Sequence, residues 1–247
     1  MRTKVAVVSG ASYGLGGAIS NELLTQGFKV YGISRSAPKI EDALFVWLKA
    51  DLTVASEISN LVNGIKEDTI DLLVNNAGTA FEKPALDFSD ADFEKMFGLN
   101  FVAPIKLTAV LFPKLRSGLV VNISSISDRY PDPLLGLYGS SKAALNLYFE
   151  TIAAEYKDVK VISLLPNYID TPLLRKLIGT NHEFSWEMSM TTEQVAKSVI
   201  YVLDRQEELE TGSRMIVISS IQDSGEYSPE KLLVYNVDSK EVKKITH

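Results

Sequence analysis

Short runs dense in Val, Ile and Leu recur along the chain: KVAVVSG from Lys4, FKVYGIS from Phe28, FVWLKADL from Phe45, DLLVNNAG from Asp71, GLVVNISS from Gly118, VKVISLLP from Val159 and RMIVISS from Arg214. Apolar runs of this kind, without strict alternation, suit strands buried on both faces of a parallel sheet. Longer amphipathic stretches lie among them: Gly16 to Gln26, Val54 to Lys66, Phe101 to Arg116, Tyr138 to Tyr156 and Thr192 to Leu203. Such alternation predicts one doubly wound α/β sheet of roughly seven parallel strands with helices on both faces.

No repeat, low-complexity tract or linker divides the chain, and the pattern breaks only after Ser219. Residues 1–219 are therefore expected to form one domain and residues 220–247 a C-terminal extension. The extension reads as a loop, an apolar strand from Lys231 to Val237, a turn at Asp238 and Ser239, and a charged second strand, which together predict a β-hairpin. A partly ordered tail is the competing outcome.

Composition narrows the chemistry. With 247 residues, 46% hydrophobic and 23% charged, the chain has the make-up of a globular protein with one large core. A net charge of −6 without a dense Lys/Arg cluster argues against nucleic acid and anionic lipid as partners. Cysteine is absent and His182 and His247 are the only histidines, so disulfides, thiol catalysis and metal sites lose their usual ligands. The first residues enter a strand pattern at once, which leaves no room for a signal peptide. The apolar stretch from Phe101 to Phe112 is interrupted by Pro104 and Lys106 and is too short to span a bilayer. A cytoplasmic protein with no membrane partner is expected.

Two places carry candidate chemistry. The first strand runs into Ser9, Gly10, Ala11, Ser12, Tyr13, Gly14, Leu15 and Gly16, directly before a helix. Glycines permit a tight turn there, and the helix N-terminus offers N–H groups and a positive dipole end to a pyrophosphate. A ligand-free turn of the same shape would read alike. At the end of the second strand, where an NAD ribose would meet a carboxylate, the chain has Ser34, Arg35 and Ser36. A guanidinium with two hydroxyls suits a 2′-phosphate and favours NADP(H), although Arg35 could equally be a solvated surface residue. The second place is YGSSKA, where Tyr138 and Lys142 stand one helical turn apart. A free phenol has a pKa near 10, and a neighbouring cation makes its anion accessible. Taken alone, such pairs are frequent on ordinary helix faces.

Together these motifs resemble the short-chain dehydrogenase/reductase family over Lys4 to about Ser219. The family's Thr-Gly-x-x-x-Gly-x-Gly turn is matched with Ser9 in place of threonine, so the resemblance implies that Gly10, Ser12, Tyr13, Gly14, Leu15 and Gly16 bind the cofactor with Ser34, Arg35 and Ser36. It also implies an adenine contact at Asp51 and Leu52 and a cofactor lining at Asn76, Ala77 and Gly78. The family's later Pro-Gly turn and following threonine correspond to Pro166, Asn167, Ile169 and Thr171, with Asn167 where glycine is expected; asparagine tolerates a positive φ there.

The implied catalytic set is Asn100, Ser125, Tyr138 and Lys142. By resemblance Tyr138 is the general acid/base and Lys142 stabilises its anion and holds the nicotinamide ribose. Ser125, chosen over Ser124 by its spacing of thirteen residues from the tyrosine, donates to the substrate oxygen, and Asn100 holds a water leading to Lys142. Read alone, Ser125 could cap a strand-end turn and Asn100 a helix. The implied reaction is hydride transfer between NADP(H) and a carbonyl or secondary alcohol. A turnover-free NADP(H) sensor and an epimerase or dehydratase of the same fold are the alternatives.

The segment after Thr171, PLLRKLIGTNHEFSWEMSM, is where the family sets specificity, and Leu173, Leu174, Leu177, Phe184, Trp186 and Met188 suggest an apolar lid, or else ordinary packing. Arg175, Lys176, His182 and Glu183 could select a charged substrate. Apolar residues spread around the helices from Asn100 and from Tyr138 exceed what one sheet face can bury, which points to a homodimer or homotetramer. The acidic run at Asp87 reads as capping by Ser89 rather than metal ligation.

Overall fold

The computed structural model describes residues 2–115, 117–179, 184–222 and 232–245. The apolar runs form β1 (Val5–Ser9), β2 (Lys29–Ser34), β3 (Phe45–Lys49), β4 (Leu72–Asn75), β5 (Leu119–Ile123), β6 (Lys160–Pro166) and β7 (Ser213–Ile218). All seven run parallel in the order β3-β2-β1-β4-β5-β6-β7. Successive side chains point to opposite faces: Ala6, Val8, Leu72 and Val121 pack under α1 (Gly14–Thr25) and the last helix, Thr192–Asp204, while Val5, Val7, Leu73 and Val120 pack under the helices of the other face. Apart from the half-buried edge strand β3, both faces are covered, which is why those runs show no polar alternation.

The sheet does not stop at seven strands. β8 (Leu232–Asn236) pairs parallel with β7, and β9 (Glu241–Ile245) closes an antiparallel hairpin onto β8. Lys231, expected as the first residue of this strand, lies outside the described residues. A lone two-stranded hairpin is marginal in water, whereas on the edge of β7 it buries Val234 and Tyr235 on opposite faces of the sheet. At its turn, Asn236 Oδ1 accepts from the amides of Asp238 (2.9 Å) and Ser239 (3.2 Å).

The remaining helices are α2 (Ala55–Gly64), α3 (Asp90–Phe97), α4 (Ala103–Leu111), α5 (Gly136–Glu155) and α6 (Pro172–Ile178), with Thr192–Asp204 as α7. Ser89 caps α3 in a reciprocal box with Asp92, as the sequence suggested. From there the chain stays helical to Lys114, through a π turn at Gly98–Val102, α4 and a final tight turn. The uninterrupted helix is 25 residues, long and apolar enough by length and composition alone to cross a membrane; the expectation of a segment too short to do so treated Pro104 as a break. Proline without its N–H cannot give the carbonyl four residues earlier its α-helical bond, and the chain absorbs this by widening into the π turn. One side of this helix, with Met96, Asn100, Ala103, Leu107 and Leu111, is buried in the core.

One row of the sheet is polar. Asn75, Asn122 and Ser163 lie level with one another on β4, β5 and β6. Asn75 Nδ2 donates to Asn122 Oδ1 (2.9 Å) and to Thr108 Oγ1 of α4 (3.2 Å), and Asn122 Nδ2 donates to Ser163 Oγ (3.5 Å).

Candidate active site

Because strands β1 to β7 are parallel, their carboxyl ends share one edge, and the order in which strands are added reverses between β1 and β4. Ligands of doubly wound sheets sit at this kind of crevice. The turn after β1 shapes one side of it. Gly10 has φ +71° and a Cβ there would meet Asn76 Nδ2 at 2.9 Å; a Cβ on Gly16 would stand 2.2 Å from the Gly10 carbonyl oxygen. Ser9 ties this turn to the next: its Oγ donates to the Val74 carbonyl (3.3 Å) and accepts from the amides of Asn76 (2.9 Å) and Ala77 (3.0 Å). Asn76 returns Nδ2 to the Ser9 carbonyl (2.9 Å).

Tyr13, at the N-cap of α1, supplies no capping hydrogen bond and its side chain is 64% exposed. The first amides of α1 are thus left without a side-chain acceptor, as an anion site requires. Ser12 is half-buried and Leu15 buried beside them. Across from Gly14 (φ +59°) stand Thr171 and Pro172, within 4.0 Å of where its Cβ would be. At the end of β2, the buried Ser34 Oγ donates to the Ser36 carbonyl (2.8 Å) and accepts from Trp47 Nε1 (3.1 Å), while Arg35 and Ser36 are exposed. The Ser34 hydroxyl is therefore turned inward. Asp51, beside the buried Leu52, is held below the usual carboxylate range by hydrogen bonds from Thr53 and, less strongly, by the charge of Arg35.

The second side of the crevice is built on β5, α5 and the π turn. Asn100 is fully buried in that turn and caps nothing; Oδ1 accepts from the Thr79 amide (2.8 Å) and Nδ2 donates to the Thr79 carbonyl (2.9 Å) and to Ser141 Oγ (3.0 Å). Ser141 in turn donates to the Tyr138 carbonyl (2.7 Å), which fastens the π turn to the first turn of α5. Lys142 is buried, and its Nζ donates to the Ile123 carbonyl (2.9 Å) and lies 5.8 Å from the centre of the Tyr138 ring. A Cβ on Gly78 would come within 3.2 Å of Asn100 Oδ1 and 3.6 Å of Lys142 Nζ, so three of the expected site residues converge at one point.

Ser125 follows β5; its Oγ is hydrogen-bonded with Tyr138 and also accepts from the Ser127 amide (3.2 Å). The strand-end cap and the approach to Tyr138 are thus properties of the same hydroxyl. The hydroxyl of neighbouring Ser124 is buried with no hydrogen-bond partner among the described residues.

The electrostatics differ from the simplest expectation. Burial pushes the Tyr138 phenol up, Ser125 pulls it down and the Asp132 charge adds to the rise. Burial also drives Lys142 down to about 8. The Lys142 ammonium donates to the Ile123 carbonyl, and its charge does not offset the rise of the phenol.

The last wall follows β6. Pro166 ends the strand, and Asn167 Oδ1 accepts from the Tyr168 amide (3.0 Å). Asn167 is not among the described residues with positive φ; its side chain forms the local turn, and the left-handed backbone expected of a glycine there is not used. Ile169 forms a parallel bridge with Met190, which draws the far end of the lid onto this turn, and Thr171 Oγ1 caps α6 through the Leu174 amide (3.2 Å). In the lid, Leu173, Trp186 and Met188 are exposed and Leu174, Leu177 and Phe184 half-buried. Arg175 is committed inside it: both guanidinium bonds to Asp170 are 2.6 Å, and the group lies 4.8 Å from the Trp186 ring. Lys176 is exposed; His182 and Glu183 lie outside the described residues.

Sequence reasoning passed over Thr79, Ser127, Asp132 and Ser141. Only Pro104, four residues after Asn100, signalled the widened turn in advance. Among the described residues no cluster of three metal-ligating side chains occurs.

Comparison with known proteins agrees in one direction. A family model described as short chain dehydrogenase matches residues 4–181. An uncharacterized oxidoreductase of Staphylococcus epidermidis is 28% identical over 216 residues, which span 82% of this chain and 92% of the relative. A very-long-chain 3-oxoacyl-CoA reductase of Anas platyrhynchos is 33% identical over 188 residues, 68% of this chain and 60% of the relative. Among solved structures, the ligand-free aldohexose dehydrogenase of Thermoplasma acidophilum superposes with a TM-score of 0.81 at 25% identity, over 93% of this chain and 98% of the other.

Proposed function

The chain belongs to the short-chain dehydrogenase family, an oxidoreductase family working with NAD(P)(H), and on that footing we propose that it transfers hydride between NADP(H) and a carbonyl or secondary alcohol. The observation that carries the reading is the convergence of Asn100, Ser125, Tyr138 and Lys142 beside the glycine turn.

The residues fit the dinucleotide. The uncapped amides of α1, with Gly10, Ser12, Tyr13, Gly14, Leu15 and Gly16, would take the pyrophosphate. Arg35 and Ser36 would take a 2′-phosphate; positions 34–36 at the end of β2 hold no carboxylate, although the charge of Asp51 reaches Arg35. Asp51, Leu52, Asn76, Ala77 and Gly78 would line the adenosine half, and Pro166, Asn167, Ile169 and Thr171 the nicotinamide half. When bound, the nicotinamide supplies or accepts the hydride. The chain's own work is at the substrate oxygen. Ser125 and Tyr138 together fix that oxygen by hydrogen bonds. As charge builds on it during reduction, Tyr138 gives its phenolic proton. A phenol carries that proton at neutral pH, and the upward push from burial does not change this. Lys142 and Asn100 form the polar floor through which the proton is replaced.

The outer faces of α3 to α5 support a homo-oligomer. Phe88, Phe93, Phe97, Phe101 and Tyr148 form a chain of ring contacts 4.3–6.4 Å apart, and Leu147 beside them is 67% exposed.

The test is NADPH and NADH oxidation with a panel of ketones and aldehydes, with Tyr138→Phe alongside. NADPH-preferring turnover lost in Tyr138→Phe is the expected result. Tight NADPH binding without turnover on any compound would mean a sensor.

A further inference from the structure

The catalytic serine does not end its hydrogen bonds at the tyrosine. Ser125 Oγ lies 3.2 Å from Ser127 Oγ, within hydrogen-bond reach, and Ser127 Oγ donates to Asp132 Oδ2 (2.9 Å). Asp132 lies in the loop between β5 and α5, exposed, and its charge reaches Tyr138. The two links put the carboxylate within about 6 Å of the Ser125 hydroxyl. Among the described residues no cation is paired with Asp132, and its side chain accepts only the one bond from Ser127, although a carboxylate has about four acceptor sites. The nearby cations are committed elsewhere: Lys83 lies 3.1 Å from Asp92, and Arg129 lies against Asp128.

We propose that Asp132 is a specificity-determining residue: its carboxylate receives a hydroxyl or ammonium group carried two or three carbons from the reacting carbonyl, and it turns away substrates with a carboxylate there. The inference rests on the reductase reading of the site. A substrate oxygen held by Ser125 and Tyr138 places such a substituent a few C–C bonds of about 1.5 Å away, on the scale of the distance to Asp132. A donor at that point gains a charge-assisted hydrogen bond, whereas an anion meets an unneutralised like charge. The lid's own arginine is closed onto Asp170, so Arg175 does not reverse this preference.

The experiment compares three ketones of similar size, 4-hydroxy-2-butanone, 2-pentanone and acetoacetate, with wild type and Asp132→Asn. Asparagine keeps an acceptor for Ser127 and removes the charge. In wild type kcat/KM should favour the hydroxyketone over 2-pentanone by about tenfold or more, and 2-pentanone over acetoacetate by about tenfold. In the variant both ratios should shrink severalfold, with acetoacetate gaining most. Ratios that stay unchanged while all three rates fall together would make Asp132 only a support for Ser127 and would overturn the proposal. The same three ketones are titrated against the NADPH-loaded protein by ligand-observed NMR. Asp132-dependent binding ratios without turnover would fail the reductase reading alone; ratios indifferent to the substitution in both assays would fail the proposal.

Discussion

Replacing Ser9 by alanine removes one oxygen and strands two amides. The hydroxyl accepts from Asn76 and Ala77 at 2.9 and 3.0 Å and sits at the buried end of β1, where its own side chain is shut off from water. A buried donor left without its acceptor costs about 1–3 kcal/mol. Asn76 and Ala77 are only half-buried, so water softens part of the loss, and we take about 2–4 kcal/mol for the pair. For a domain of this size each kcal/mol moves the melting temperature by about 2–4 °C, so Ser9→Ala should melt about 5–15 °C lower. Ser9→Thr keeps the oxygen and should recover most of the difference. Differential scanning calorimetry with urea titration measures both variants, and NADPH titration reports whether the Asn76 to Gly78 turn has moved. A loss below about 1 kcal/mol for alanine, or an equal loss for threonine, would refute the two-amide account.

Tyr138→Phe should lower kcat about 10²–10⁴-fold, as loss of a positioned proton donor does, with the NADPH dissociation constant little changed; full retention of turnover would sink the assignment. Arg35→Ala should cut the preference for NADPH over NADH by about tenfold or more, read as the ratio of kcat/KM for the two cofactors; an unchanged ratio removes Arg35 from cofactor choice. Lys142, pushed down to about 8 by burial, gives a pH signature with a definite sign. Between about 8 and the unfolded value near 10.4 the unfolded chain holds a proton that the folded one lacks, so stability of the cofactor-free protein rises with pH across that window by about 3 kcal/mol and this group is silent below it. Urea titrations at stepped pH should show that rise in wild type and lose it in Lys142→Met; parallel profiles would disprove it. Gly16→Ala places a Cβ 2.2 Å from the Gly10 carbonyl oxygen and should abolish NADPH binding or folding, checked by circular dichroism and cofactor titration.

Most of the sheet was legible because burial on both faces leaves strands with nothing to alternate against, and each of the seven runs forms a strand. The attachment of the hairpin to β7 was not, since strand pairing between segments far apart leaves no mark in either one. Resemblance singled out Asn100, Ser125, Tyr138 and Lys142 as candidates, but not that Asn100 would be held through Thr79 and Ser141. Those partners are small polar residues in turns, where no periodicity exists to give them away. Asp132 was hidden for the same reason: in YPDPLLG it looks like ordinary turn chemistry, and only the fold brings it to Ser127. The Tyr-Lys pair shows the limit from the other side. Four-residue spacing set the two on one helix face, but it could not show that the ammonium also donates to the Ile123 carbonyl of β5.

The polar row through Asn75, Asn122 and Ser163 bears on how this chain avoids misfolding. A strand apolar on both faces can slide by two residues against its neighbour and still present oil on each side, so the hydrophobic effect alone barely distinguishes the slipped sheet from the native one. An amide pair near the carboxyl ends of β4 and β5 changes that. Sliding β5 past β4 by two positions breaks the Asn75–Asn122 bond in either direction and sets Asn122 opposite Leu73 or Ala77, with its Oδ1 unmet in a dry interior. The row therefore acts as an alignment key for the central strands, and it holds the ends of β4 and β5, from which the Asn76 turn and Ser125 depart, at matching heights.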